Sequence, residues 1–171
     1  MTIKTKISFT EYLKLLLTLT YRKPMMIVIL CVALAMLAWI LGYYLHFLPV
    51  PKPLIYQYIT LALITVIQPL VIFNTIWINY YSSNHLRECL EIEFTSTEIK
   101  IHGDSFYLEM TWEKVYQVLE LDHWLLFYQN NLNAIIVPKR SFPGEQAEEF
   151  KKFLNTIRGV PVHLKNGLSN D

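Results

Sequence analysis

The stretches MMIVILCVALAMLAWILGYYLHFL (Met25–Leu48) and LIYQYITLALITVIQPLVIFNTIWINYYSSN (Leu54–Asn84) decide how this chain is built. Neither contains Lys, Arg, Asp or Glu, and only Pro49-Val50-Pro51-Lys52-Pro53 lies between them. A helix needs roughly 20 apolar residues to cross a hydrocarbon core about 30 Å thick, and each stretch is long enough. The expectation is a two-helix transmembrane hairpin with spans at about residues 25–48 and 54–81. A proline-rich link this short makes a turn and not a domain. Ala33-Leu34-Ala35 has the small-x-small form of a signal-peptide cleavage site. The apolar run continues past it, however, whereas a signal core is roughly 7–15 residues long, so the first span is expected to be retained.

Charge is divided along the 171 residues. Up to Pro53, six Lys and Arg stand against Glu11 alone; from His85 onward, nine stand against thirteen acids. Lys4, Lys6, Lys14, Arg22 and Lys23 precede the first span, Lys52 alone is in the link, and Arg87 follows the second. The positive-inside rule places both termini in the cytoplasm and the link outside. Tyr21, Tyr43, Tyr44, Phe47, Tyr56, Tyr58, Tyr80 and Tyr81 cluster near the span ends, where amphipathic rings favour the headgroup region. A basic head on a mildly acidic body does not suit nucleic acid. Cys31 and Cys89 lie in different surroundings and have no metal-ligand spacing, so neither a disulfide nor zinc is expected.

Ser8-Phe9-Thr10-Glu11 has capping-box spacing. Phe9, Tyr12, Leu13, Leu16 and Leu17 share one face of the helix that follows, which reads as an interfacial helix on the inner leaflet. The second span is the more polar, with Gln68-Pro69 near its middle and Asn74, Thr75 and Asn79 beyond. Gln68, Asn74 and Asn79 are expected to make helix–helix contacts, to the first span or to a second copy. A polar path through an oligomeric transporter or channel is the competing reading. An intramembrane charge, the stronger sign of transport, is missing from both stretches.

After Asn84 the period changes to two. Leu90, Ile92 and Phe94 alternate with Glu91, Glu93 and Thr95; Ile99 and Ile101 with Lys100 and His102; Phe106, Leu108, Met110 and Trp112 with Tyr107, Glu109, Thr111 and Glu113. These are strands with one buried face, and His102-Gly103-Asp104 supplies a turn. Val115–Leu121, Trp124–Tyr128 and Ala134–Val137 are more uniformly apolar. Short links make neighbours antiparallel, so a meander of about six strands is expected. Tyr107, Tyr116, Trp124 and Tyr128 read as core and cross-strand aromatics, with an exposed protein-binding groove formed by some of them as the alternative. A helix from about Gly144 to Arg158 carries the stripe Ala147, Phe150, Phe153, Leu154 and Ile157. Glu145, Glu148 and Glu149 come early in it and Lys151, Lys152 and Arg158 late, an order that suits the helix dipole, with Gly159 at C′. The chain therefore reads as an α+β membrane protein: residues 1–84 an amphipathic segment and hairpin, residues 85–171 a small cytoplasmic β meander or barrel capped by a helix.

Trp112, Val115, Glu120, Phe127-Tyr128, the block Ile135-Ile136-Val137-Pro138-Lys139-Arg140-Ser141-Phe142, and Phe150 resemble the YcxB-like family of bacterial membrane proteins. The likeness extends to Glu11-Tyr12-Leu13 and the two spans. It implies a bacterial inner-membrane location and a pleckstrin-homology-like C-terminal domain, and it transfers no catalytic residue.

Lys139-Arg140 is the best candidate for contact with a ligand or lipid headgroup, since adjacent cations can hold phosphate oxygens. The structural alternative has the pair meeting Glu145, Glu148 or Glu149 while Phe142 enters the core. His46, His85, His102, His123 and His163 fall in separate elements, and the sequence has neither a Gly-rich phosphate loop nor a nucleophile elbow. No enzyme activity and no cofactor are expected. The leading expectation is a membrane-anchored interaction module at the inner leaflet, contacting membrane lipid and a protein partner or its own copy. An anionic-lipid sensor using Lys139 and Arg140 is the alternative.

Overall fold

A computed structural model describes residues 1–47, 49–131, 133–144, 146–157 and 160–163. The chain forms two units: Met1–Ile7 together with Asn84 onward, and Ser8–Ser83. Leu48, Glu145, Arg158 and Gly159 lie outside the described residues, and so do the roles expected of them.

The first unit holds two four-stranded sheets. Strands β1 (Thr2–Thr5), β2 (Leu90–Phe94), β3 (Glu98–His102) and β4 (Tyr107–Thr111) form one sheet in that order, all antiparallel. In the other, β5 (Gln117–Glu120), β6 (Trp124–Tyr128) and β7 (Ala134–Pro138) are antiparallel, and β8 (Val162–His163) runs parallel to β5. The period-two runs thus become β2 to β7. A 3-10 turn at Trp112–Lys114 carries the chain from one sheet to the other.

Two strands lie outside the expected meander. β8 adds a short parallel partner at one edge. β1 pairs with β2 in the register Thr2 with Glu93, Ile3 with Ile92 and Lys4 with Glu91. Ile3 is 3% exposed and belongs to the same core as Ile92. A cut at Asn84 would assign Met1–Ile7 to the helices; backbone pairing assigns them to the β unit. The helical unit is an insertion between two neighbouring strands.

One face of each sheet contributes to a single core with Phe150 and Leu154 of the helix Gln146–Thr156. The whole expected stripe, Ala147 and Phe153 and Ile157 included, packs there. Its aromatic centre is Phe94, Trp112, Phe127, Phe142 and Phe150, with Phe94 and Phe150 centroids 4.5 Å apart. Tyr107 and Tyr116 lie outside the core, 56% and 52% exposed, and Tyr107 pairs across strands with His102. Tyr107 takes an outward position in the alternation, and its hydroxyl donates to Glu109 at 2.8 Å. Trp124 and Tyr128 are half-buried. The outer face of the first sheet carries Lys4, Glu91, Lys100 and Glu109, with Lys100 also 2.9 Å from Glu98. At the β3–β4 turn, Ser105 N donates to Glu88 at 2.9 Å. A Cβ on Gly103 would come within 2.9 Å of Glu88 Oε2 and Leu90 Cδ2, so glycine keeps this corner closed.

In the helical unit, α1 (Phe9–Tyr21) starts with the expected capping box: Glu11 N donates to Ser8 Oγ and Ser8 N to the Glu11 carboxylate. It ends before Pro24, which opens α2 (Pro24–Tyr44). The second long helix, Ile55–Ser82, comprises α3 (Ile55–Ala62), a π turn at Leu63–Ile67, and α4 (Gln68–Ser82). Pro69 has no N–H, and its ring crowds the carbonyl one turn back; the wider π turn lies immediately before it. α2 and Ile55–Ser82 are both long and apolar enough to cross a membrane. Gln68 Nε2 reaches Met26 Sδ at 3.4 Å, so it lies level with the start of α2 and not with its middle. At the far end, Tyr58 donates to the Tyr44 hydroxyl at 3.0 Å and Trp39 Nε1 to Pro51 O at 3.3 Å. Phe9 packs among Phe73, Trp77, Tyr80 and Tyr81 of α4.

Burial of Ile3 predicts that Ile3→Ala destabilises the β unit by ~2–4 kcal/mol, the cost of emptying a core site. Thermal unfolding of the purified full chain measures it. A free N-terminal extension would give no change.

Candidate functional site

Pro138-Lys139-Arg140-Ser141-Phe142 forms the corner between β7 and the C-terminal helix. A 3-10 turn at Lys139–Ser141 makes the bend, and Lys139 N donates to His123 O at 2.9 Å. Phe142 is buried and stacks on Phe150 with centroids 5.0 Å apart.

The two cations do not converge on a common ligand position; each ties the corner to a different part of the fold. The Lys139 ammonium pairs with Glu120 of β5, whose side chain is 2% exposed. Lys151 of the C-terminal helix approaches the same Glu120 oxygen at 2.9 Å and Glu148 at 2.8 Å. Strand, corner and helix thus share one buried carboxylate. Arg140 Nη2 donates to Lys6 O at 2.9 Å, linking the corner to the residue after β1. A buried carboxylate needs such partners, because its desolvation costs several kcal/mol.

The partner of Lys139 is therefore Glu120, where Glu145, Glu148 and Glu149 were expected. Glu148 pairs with Lys151 instead, and Glu145 is outside the described residues. A signal for Glu120 exists in the sequence: Val118 and Glu120 share the inward phase of β5, so a charge falls on a core position. Such a charge requires a cation, and Lys139 belongs to the strand-to-helix corner two strands away.

The hydrogen bond to Glu148, reinforced by Glu120, holds the Lys151 ammonium above the ordinary lysine range despite the opposing effect of burial. A pKa raised by folding favours the folded state while the lysine is protonated in both states. That contribution fades as pH rises through and beyond the ordinary lysine value.

The remaining expected site residues lie in the helical unit. Gln68 meets Met26, while Asn74 and Asn79 are exposed on α4. Among the described residues no three His, Cys, Asp or Glu side chains are grouped to hold a metal. His85 packs on Phe106 and His102 on Tyr107, in separate places.

Residues 94–154 match the family model described as YcxB-like protein. The match begins in β2 and ends in the C-terminal helix, and so contains the whole Glu120–Lys139–Lys151 cluster. No curated protein and no solved structure matches the chain.

Glu120→Gln is expected to cost about 3–5 kcal/mol, the range for removing one partner of a buried ion pair. Glu120→Leu combined with Lys139→Met and Lys151→Met should recover most of it. Denaturant unfolding of the full chain measures both. The wild-type advantage should shrink above about pH 10.5, as Lys151 loses its proton.

Proposed function

We propose that this chain is a membrane-anchored, non-catalytic interaction module that presents a small β domain at the inner face of a bacterial cytoplasmic membrane. The observation that carries the reading is how little protein covers the two long apolar helices. Only 17% of the apolar window in Pro24–Tyr44 and 6% of that in Ile55–Ser82 is buried. An apolar helix from the core of a soluble protein is mostly covered; lipid supplies the missing cover here. α1 then lies at the inner leaflet, its Glu11 and Lys14 toward water.

Sheet pairing supports the topology. β1 precedes the first apolar helix and β2 follows the second, and they are adjacent strands. Strands on opposite sides of a bilayer cannot pair. The chain must cross an even number of times, as a two-span hairpin does, and the basic flanks make that side the cytoplasm. An antiparallel sheet and a second sheet antiparallel but for the short β8, packed on a C-terminal helix, favour the pleckstrin-homology-like reading of the domain.

The geometry of Lys139 and Arg140 does not favour the lipid-sensor alternative. Lys139 pairs with buried Glu120, and Arg140, though exposed, gives an N–H to Lys6 O, so the two cations do not converge on one headgroup. The transport alternative is weakened by the place of Gln68, beside Met26 at one end of α2.

Cysteine labelling tests location and orientation. In a Cys31→Ala background, an impermeant maleimide added to intact cells should label Lys52→Cys and leave Cys89 unlabelled until the membrane is opened. The chain should stay with membranes after alkaline washing. Labelling of Cys89 in intact cells would invert the topology, and recovery in the soluble fraction would end the anchored reading.

A further inference from the structure

α4 has two unlike faces. Ile76 and Tyr80 are buried, and with Phe73 and Trp77 they lie on the side packed by α1. Beyond Gln68, which is half-buried against Met26 of α2, the opposite side is exposed, and its residues fall in a heptad. Gln68, Thr75 and Ser82 take position a; Val71 and Ile78 take position d. Val71 and Ile78 are 57% and 54% exposed. Thr75 and Ser82 are small enough to let one membrane helix pack closely along another, with Val71 and Ile78 beside them.

The positions beside the seam are more telling. Counting from Gln68 as a, Asn74 is at g and Asn79 at e of the following heptad. In a parallel pair of helices, position g of one faces that position e of its partner, five residues further on. Both asparagines are exposed, and among the described residues neither side chain has a hydrogen-bond partner. An amide offers both donor and acceptor, so Asn74 of one copy and Asn79 of another are complementary. Two-fold symmetry makes that contact twice. It also sets Thr75 and Ser82 each against its own counterpart.

We infer that a second copy of this chain packs along the exposed face of α4 as a parallel, two-fold pair, with Val71 and Ile78 in the seam and Asn74–Asn79 hydrogen bonds on both flanks. The inference rests on the anchored reading for its direction: two copies inserted alike have α4 helices running the same way. The partner named by the surface is then the chain itself.

Cross-linking of the full chain in its membrane tests this. In a background lacking Cys31 and Cys89, single cysteines replace Val71, Ile78 or Leu70, the last at position c and 59% exposed. Mild oxidation should give disulfide dimers for Val71→Cys and Ile78→Cys, where facing Cα atoms come within the ~4.4–6.8 Å a disulfide spans, and little for Leu70→Cys. Adding Asn74→Leu or Asn79→Leu should lower dimer yield at limiting expression roughly tenfold, taking ~0.6–2 kcal/mol for each hydrogen-bonded contact. The two together should do little more than either alone, since each removes the same contacts. Equal yield at all three positions, or none at any, from a chain that still sediments with membranes overturns the pairing and leaves the anchored reading intact. A chain found in the soluble fraction overturns the anchored reading itself.

Discussion

The pairing of Thr2–Thr5 with Leu90–Phe94 is the constraint on which the rest of the architecture depends. It joins chain segments that are separated by the entire helical unit. Closing so long a loop costs several kcal/mol of chain entropy, offset by burial of Ile3 against Ile92 and by ladder hydrogen bonds that continue to Met1 and Phe94. Once this pairing holds, both ends of the helical insertion are returned to one sheet. The two long apolar helices thus leave from and return to neighbouring strands.

The Pro138–Phe142 corner secures the same arrangement. Its backbone turns the chain into the C-terminal helix, Phe142 fills the core, Lys139 neutralises Glu120, and Arg140 holds the carbonyl of Lys6. A motif that reads as a phosphate site in one dimension works in three as a junction of β5, β7, the C-terminal helix and the chain leaving β1.

Much of this was legible in the sequence for physical reasons. Uncharged runs long enough for a bilayer identify the helices, and strict alternation identifies β2, β3 and β4 with their inward residues. Ser8 and Glu11 mark the start of α1. Pro24 marks the next helix, and the Phe150 stripe marks the last. What could not be read depends on partners distant in sequence. Ile3 and Thr5 alternate with Lys4 and Lys6, but four residues of alternation carry little weight beside a basic flank, and their strand partner lies beyond both apolar helices. Glu120 signalled an inward charge without naming Lys139 and Lys151. Pro69 announced an irregularity in the second long helix, whereas the level of Gln68 against Met26 depends on how the two helices are offset.

Hydrogen–deuterium exchange on the intact chain, read at single-residue resolution in β1, tests the central claim most directly. If the helical unit is inserted into a continuous sheet, the ladder-bonded amides of Thr2–Thr5 exchange as slowly as those of Leu90–Phe94, and both groups open together. Exchange of Thr2–Thr5 at the rate of an unstructured peptide, with Leu90–Phe94 still protected, would contradict the insertion and return Met1–Ile7 to a free N-terminal segment.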